Sequence, residues 1–175
     1  MIRGNSWRLG CPVGPKELRY IQVKHYNFKG TTTIGEIVIH KDISNQTVKI
    51  FKELYNIKYP IKQMRLVSDF GGSDWQSIEA DNTSALNCRK VTSSKTKWSK
   101  HAYGKAIDIN PIENPYISRS GKISHKKSQR YRTREPNRHK ALLYKDSKAV
   151  KIFKKYGWRW GGDWNSIKDY QHFSR

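Results

Sequence analysis

Four side chains in this sequence could hold a metal ion and move a proton. His101 and Asp108 lie in SKHAYGKAIDIN (99–110), and Asp169 and His172 lie in DYQHF (169–173). Two imidazoles and one carboxylate around zinc leave a net charge of about +1 and an open position for water. That is the composition of a catalytic zinc site rather than a closed structural one. Asp169, three residues before His172, would hold the water as general base. His172 stands between Tyr170 and Phe173, an aromatic setting that sets it apart from an ordinary surface histidine.

Spacing restricts how His101 and Asp108 can meet. On a helix they would share a face but sit about 10 Å apart along the axis. On a strand they would lie on opposite faces, about 23 Å apart. Zinc requires its ligand atoms within about 2.0–2.2 Å, so the chain must bend between them. Gly104 is where it can do so at little cost. Asp108 stands between Ile107 and Ile109, in a segment built to pack. A carboxylate buried there needs a cation or several donors, and an aspartate held by backbone amides is the alternative reading.

The surrounding elements read as a mixture. LRYIQVKHYNF (18–28) and GEIVIH (35–40) form a plausible hairpin around Lys29-Gly30. DISNQTVKIFKELYNI (42–57) has helical periodicity, with Asp42 or Ser44 as N-cap and Val48, Phe51, Leu54 and Tyr55 on one face. QMRLVSDF (63–70) reads as a strand ending at Gly71-Gly72, and KAIDIN (105–110) as a short strand stopped by Pro111. KDSKAVKIFKKYG (145–157) is a second helix, with Val150, Phe153 and Tyr156 on one side and Gly157 at its end. There is no regular βαβ rhythm, so the class is α+β, and 175 residues fit one domain.

The formal charge of +21 draws the surface to polyanions: nucleic acid, anionic lipid or an anionic cell-wall polymer. Residues 118–140 hold nine Lys or Arg against one Glu and read as a basic loop. A basic nucleic-acid-binding module without hydrolytic activity is the competing reading; it explains the charge but not the four site residues. His25 and His40 on predicted strands, and His125 and His139 in the loop, read as surface or structural histidines; the loop pair lacks a carboxylate partner pattern. Trp158, Trp160 and Trp164 read as sheet packing and Gly161-Gly162 as a turn, since no GxxxxGK accompanies it. Cys11 and Cys88 lack CxxC spacing, which leaves two separate buried thiols or a single disulfide. No apolar run approaches the roughly 20 residues of a bilayer span, and the opening MIRGNSWRLG has no apolar signal region.

SxHxxGxAxD followed by DxxH resembles the signature of the D-alanyl-D-alanine carboxypeptidase group of zinc peptidases. That group includes VanX/VanY-type peptidases and phage L-alanyl-D-glutamate endolysins. DNTSALNCRKV (81–91), WSKHAYGKAIDINPIENPY (98–116) and GWRWGGDW (157–164) extend the likeness, which runs from LGCPV (9–13) to the end. The resemblance implies Zn2+ held by His101, Asp108 and His172, with Asp169 activating the hydrolytic water. Ser99 matches a substrate-contacting serine. Arg89 matches the arginine that binds substrate and stabilises the oxyanion, with Arg65 as its rival. The implied fold is one VanY/hedgehog-like α+β domain over residues 1–175, with zinc over a central antiparallel sheet flanked by helices. The implied substrate is a peptidoglycan stem peptide, cut at L-Ala-D-Glu or D-Ala-D-Ala. Anionic wall polymers would be partners of the basic surface, and a monomer is expected. The lack of a visible signal peptide and the positive charge favour an endolysin that reaches the wall after membrane permeabilisation.

Overall fold

A computed structural model describes residues 6–92, 94–136 and 138–175. The chain opens with the strands β1 (Leu18–Tyr26) and β2 (Thr32–His40), paired antiparallel from Leu18 opposite His40 to Tyr26 opposite Thr32. Asn27 closes the turn: its side-chain oxygen accepts from Lys29 N and Thr31 N, and Gly30 takes φ +77°. The hairpin is therefore the expected one, with β2 beginning earlier than GEIVIH.

Helix α1 (Lys41–Asn56) follows β2 directly. Its N-cap is His40, whose Nδ1 accepts from Asp42 N at 3.3 Å, in place of the expected Asp42 or Ser44. The buried face is Ile43, Thr47, Ile50, Phe51 and Leu54. Val48, expected inside, is exposed. The stripe Ile43-Thr47-Ile50-Leu54 keeps helical spacing with a threonine in the apolar row, which sequence reading passes over; Thr47 satisfies its hydroxyl on Ile43 O.

The expected strand over 63–70 shrinks to β3 (Gln63–Met64), paired in parallel with β4 (Asn82–Thr83). The Asn82 side chain bonds both Arg65 N and Arg65 O, ending the ladder, and Val67–Phe70 turns into a 3-10 helix. Helix α2 (Asp74–Glu79) lies between them. The remaining strands are short: β5 (Ala106–Asp108), β6 (Tyr116–Ile117), β7 (Arg159–Trp160), β8 (Lys168–Asp169) and β9 (His172–Ser174). Helix α3 (Lys148–Lys155) is capped by Ser147 and followed by Gly157 at φ +75°.

The class is α+β, but the strands do not merge into one central sheet. Among the described residues they form separate ladders, and the one that carries the site is three-stranded and antiparallel, ordered β5-β9-β7. Phe173 on β9 is fully buried and stacks on Phe153 of α3 with ring centroids 3.9 Å apart. Ile107, Ile109, Trp158 and Trp160 join the same core as β2 and α1. One face of the small sheet is thus pinned to both helices, leaving the other free to present ligands.

Cys11 and Cys88 are a disulfide with Cα atoms 5.8 Å apart, which decides between the two cysteine readings. The basic segment is not a bare loop. It contains a 3-10 turn at Lys126–Tyr131, and Arg134 anchors it by donating to Leu143 O, Glu113 O, Tyr131 O and Asn114 Oδ1. Among the described residues no helix is long and apolar enough to cross a membrane.

Candidate metal centre

The bend required between His101 and Asp108 is present. Ser99 caps a 3-10 turn over Lys100–Tyr103, and Gly104 ends it at φ +63°. A Cβ at Gly104 would lie 2.8 Å from His40 N, while the Gly104 carbonyl accepts from that same N–H at 2.9 Å. Glycine is therefore needed both for the backbone angle and for the close approach to the hairpin. The chain then enters β5, where Asp108 pairs directly opposite His172 on β9. Cross-strand partners project to the same face, so register alone joins two ligands 64 residues apart.

His101, Asp108 and His172 are 3, 6 and 8% exposed, and their ligand atoms converge. His101 Nε2 lies 3.3 Å from His172 Nδ1 and 3.1 Å from Asp108 Oδ2, and His172 Nδ1 lies 3.0 Å from Asp108 Oδ1. Four ligands at about 2.0–2.1 Å around a tetrahedral ion stand about 3.3 Å from one another. The donor set and its spacing therefore fit zinc. His101 Nδ1 is 2.6 Å from Ala85 O; a carbonyl only accepts, so Nδ1 carries the proton and Nε2 offers its lone pair inward.

The electrostatics agree with a cation site. Burial pushes the Asp108 carboxyl up, but the charges and hydrogen bonds of His101 and His172 outweigh it and hold Asp108 below the usual carboxylate range. Burial pulls His172 down, yet its bond to Asp108 and the charges of Asp108 and Asp169 raise it overall. Asp169 is pushed up to about 6, first by burial and then by the negative charge of Asp108, with His172 pulling the other way. Gln171 Nε2 donates to Asp169 Oδ1 at 3.2 Å. Asp169 is thus within electrostatic reach of all three ligands.

The remaining candidates separate. Arg89 donates from Nε to Asp74 Oδ1 at 3.0 Å, and its charge depresses His172. Arg65 is engaged instead with Asp69 at 3.1 Å and lies over the Phe70 ring. Ser99 is buried, with its hydroxyl accepting from His101 N at 3.3 Å, so it positions the first histidine. Trp164, read as sheet packing, has its ring 5.4 Å from that of His172 and forms a wall of the site. The Ala85 carbonyl and Asp74 were not legible as site groups: the first is backbone, and the second acts only through Arg89.

Of the other histidines, His25 is buried against Thr33, His40 caps α1, and the His139 ring accepts from Ala141 N. His125 does have a carboxylate partner, against expectation. Its Nδ1 is 2.8 Å from Glu79 Oε2 and its ring stacks on Trp75. That partner comes from α2, 46 residues away, beyond any local pattern.

No solved structure matches the chain. Residues 92–175 match the family model described as D-alanyl-D-alanine carboxypeptidase. That stretch contains His101, Asp108, Asp169 and His172, and it is what makes the chain similar to this family of peptidases.

Proposed function

We propose that the protein is a zinc-dependent peptidoglycan peptidase, folded as one VanY/hedgehog-like domain, that hydrolyses an amide bond of the stem peptide. The observation that carries this reading is the convergence of three buried ligand atoms at tetrahedral-edge separations. Zinc held by His101, Asp108 and His172 would supply Lewis acidity and lower the pKa of water toward about 7.

The chain's own residues divide the rest of the work. The Asp169 carboxylate takes a proton from the attacking water and returns it to the departing amine nitrogen. Burial beside Asp108 raises its proton affinity toward the working pH, which suits a group that must both accept and release a proton. Arg89, held by Asp74, supplies positive charge for the oxyanion and the substrate. Ser99 holds the turn that aims His101 and marks the side from which substrate is contacted. Trp164 shields His172 from water on one side.

A nucleic-acid-binding module would account for the +21 charge but not for three ligands brought together from a turn and two paired strands. The test is mass spectrometry of muropeptides after digestion of sacculi by zinc-loaded protein. Cleavage between L-Ala and the D-glutamyl residue identifies an endolysin-type endopeptidase, the reading favoured by the charge. Loss of a terminal D-Ala identifies a carboxypeptidase. Intact stem peptides would sink the enzyme reading.

A further inference from the structure

On an extended chain successive side chains alternate between faces. Lys168 and Tyr170, on either side of Asp169, both line a space that Asp169 does not. That space is an open cavity of about 350 Å³, lined among others by Arg134, Tyr144, Lys145, Trp160, Lys168 and Tyr170. This is within the range of about 300–1,000 Å³ typical of small-molecule sites, and it holds none of the metal ligands.

The lining carries an excess of positive charge. Asp163 is the carboxylate in the wall, and Lys154 neutralises it at 2.7 Å from outside the lining. Arg134 spends its guanidinium on neutral acceptors: three backbone carbonyls and the Asn114 amide oxygen. Burial without a bonded carboxylate lowers it to about 10, so it stays charged at neutral pH. Lys168 Nζ donates to Gly162 O at 3.1 Å, which leaves two further N–H groups for a ligand. Lys145 is exposed at the rim.

The aromatic groups narrow the ligand. One face of Tyr170 is covered by the Arg134 guanidinium, 4.4 Å from the ring centroid, and Trp160 is almost wholly buried with Nε1 donating to Tyr170 O. Tyr144 and Tyr170 are both half-buried in the lining, and an aromatic face packs well against the C–H face of a sugar, whose hydroxyls can bond Lys168 and the Gly162 carbonyl.

We infer that this cavity is a second ligand site, taking a sugar ring that bears an anionic group, either a carboxylate or a phosphate. It binds independently of the metal centre and holds the protein on an acidic glycan while that centre meets its substrate. The proposal stands whether or not the peptidase reading does, because the ligand is recognised by residues outside that site.

The test is titration of zinc-loaded protein, read by tryptophan fluorescence and calorimetry, with N-acetylmuramic acid, glucose 6-phosphate, N-acetylglucosamine, glucose, inorganic phosphate and adenosine monophosphate. At least one of the two acidic sugars should bind saturably and about tenfold or more tighter than its neutral counterpart. The tighter of the two identifies a carboxylate or a phosphate source. Lys145→Glu should weaken that binding about tenfold or more while leaving zinc content and hydrolysis of a short soluble peptide unchanged. Lys168→Ala should weaken it independently. The proposal is overturned if neither acidic sugar saturates, if neutral sugars bind equally well, or if Lys145→Glu leaves affinity unchanged. It is also overturned if inorganic phosphate or adenosine monophosphate matches the better sugar.

Discussion

Two clusters in this molecule bury carboxylates, and they satisfy them in opposite ways. Asp108 sits between His101 and His172, whose nitrogens lie 3.1 and 3.0 Å from its oxygens. Asp81 and Glu113 are each less than a tenth exposed and lie within electrostatic reach of each other. In the first cluster imidazole partners hold the carboxyl below its usual range. In the second, burial followed by the charge and hydrogen bond of Asp81 pushes Glu113 up to about 8, while burial also raises Asp81. A buried acid among nitrogen donors is prepared for a cation, whereas a buried acid against another acid is prepared for a proton. Among the described residues, only the first brings together three ligand atoms that could hold a metal ion.

The largest effects should come from breaking the first cluster. His101→Ala and His172→Ala should each take zinc from one per chain to none, with peptidase activity falling to background. Metal analysis of the purified variants checks this. Glu113→Gln should keep full zinc, because among the described residues Asp81 and Glu113 belong to no group of three ligand atoms. If Glu113→Gln lost zinc as His172→Ala does, the distinction between the two clusters would fail.

Asp169→Asn separates binding from proton transfer within the first cluster. Zinc should be retained, while kcat falls by about 10²–10⁴-fold, the range for loss of a general acid-base group. A variant keeping more than a tenth of the activity would mean that another group moves the proton. Arg89→Ala should cost less, about 10²–10³-fold if the guanidinium meets the oxyanion. Arg65→Ala, which removes a partner of Asp69 and Phe70, should leave turnover near wild type. Steady-state kinetics on one stem peptide ranks the three.

The first cluster was legible in the sequence and the second was not. His101, Asp108 and His172 are residue types seldom buried without reason, and the ligand-distance limit forced a bend that Gly104 supplies at φ +63°. The hairpin and both long helices also followed from local periodicity. What escaped depends on partners far along the chain. Asp81 and Glu113 are 32 residues apart in sequence, and nothing local marks either as lying near another acid. The strand expected over 63–70 fails because Asn82 takes both backbone groups of Arg65. His40 displaces Asp42 as the cap of α1 because β2 runs straight into the helix, and the inward face includes Thr47 rather than Val48.

The smallest effect, and the sharpest test of the second cluster, is the pH dependence of stability. Glu113 titrates near 8 in the folded chain, against an ordinary value near 4.5. Between these pH values the folded state holds a proton that the unfolded chain has released, so folding binds protons and stability falls as pH rises. The stabilisation is full below about 4.5 and is lost on passing through about 8. Glutamine keeps a neutral side chain of the same size and offers an N–H to Asp81, so it has no proton to lose. Zinc-loaded wild type and Glu113→Gln, melted side by side between pH 5 and 9, should diverge as pH rises, the wild type falling further and the variant melting higher at pH 9. Keeping zinc saturating in both removes the titration of the first cluster from the comparison. Parallel curves would show that Asp81 and Glu113 do not share a proton, and that water or a nearby cation such as Lys62 satisfies them instead.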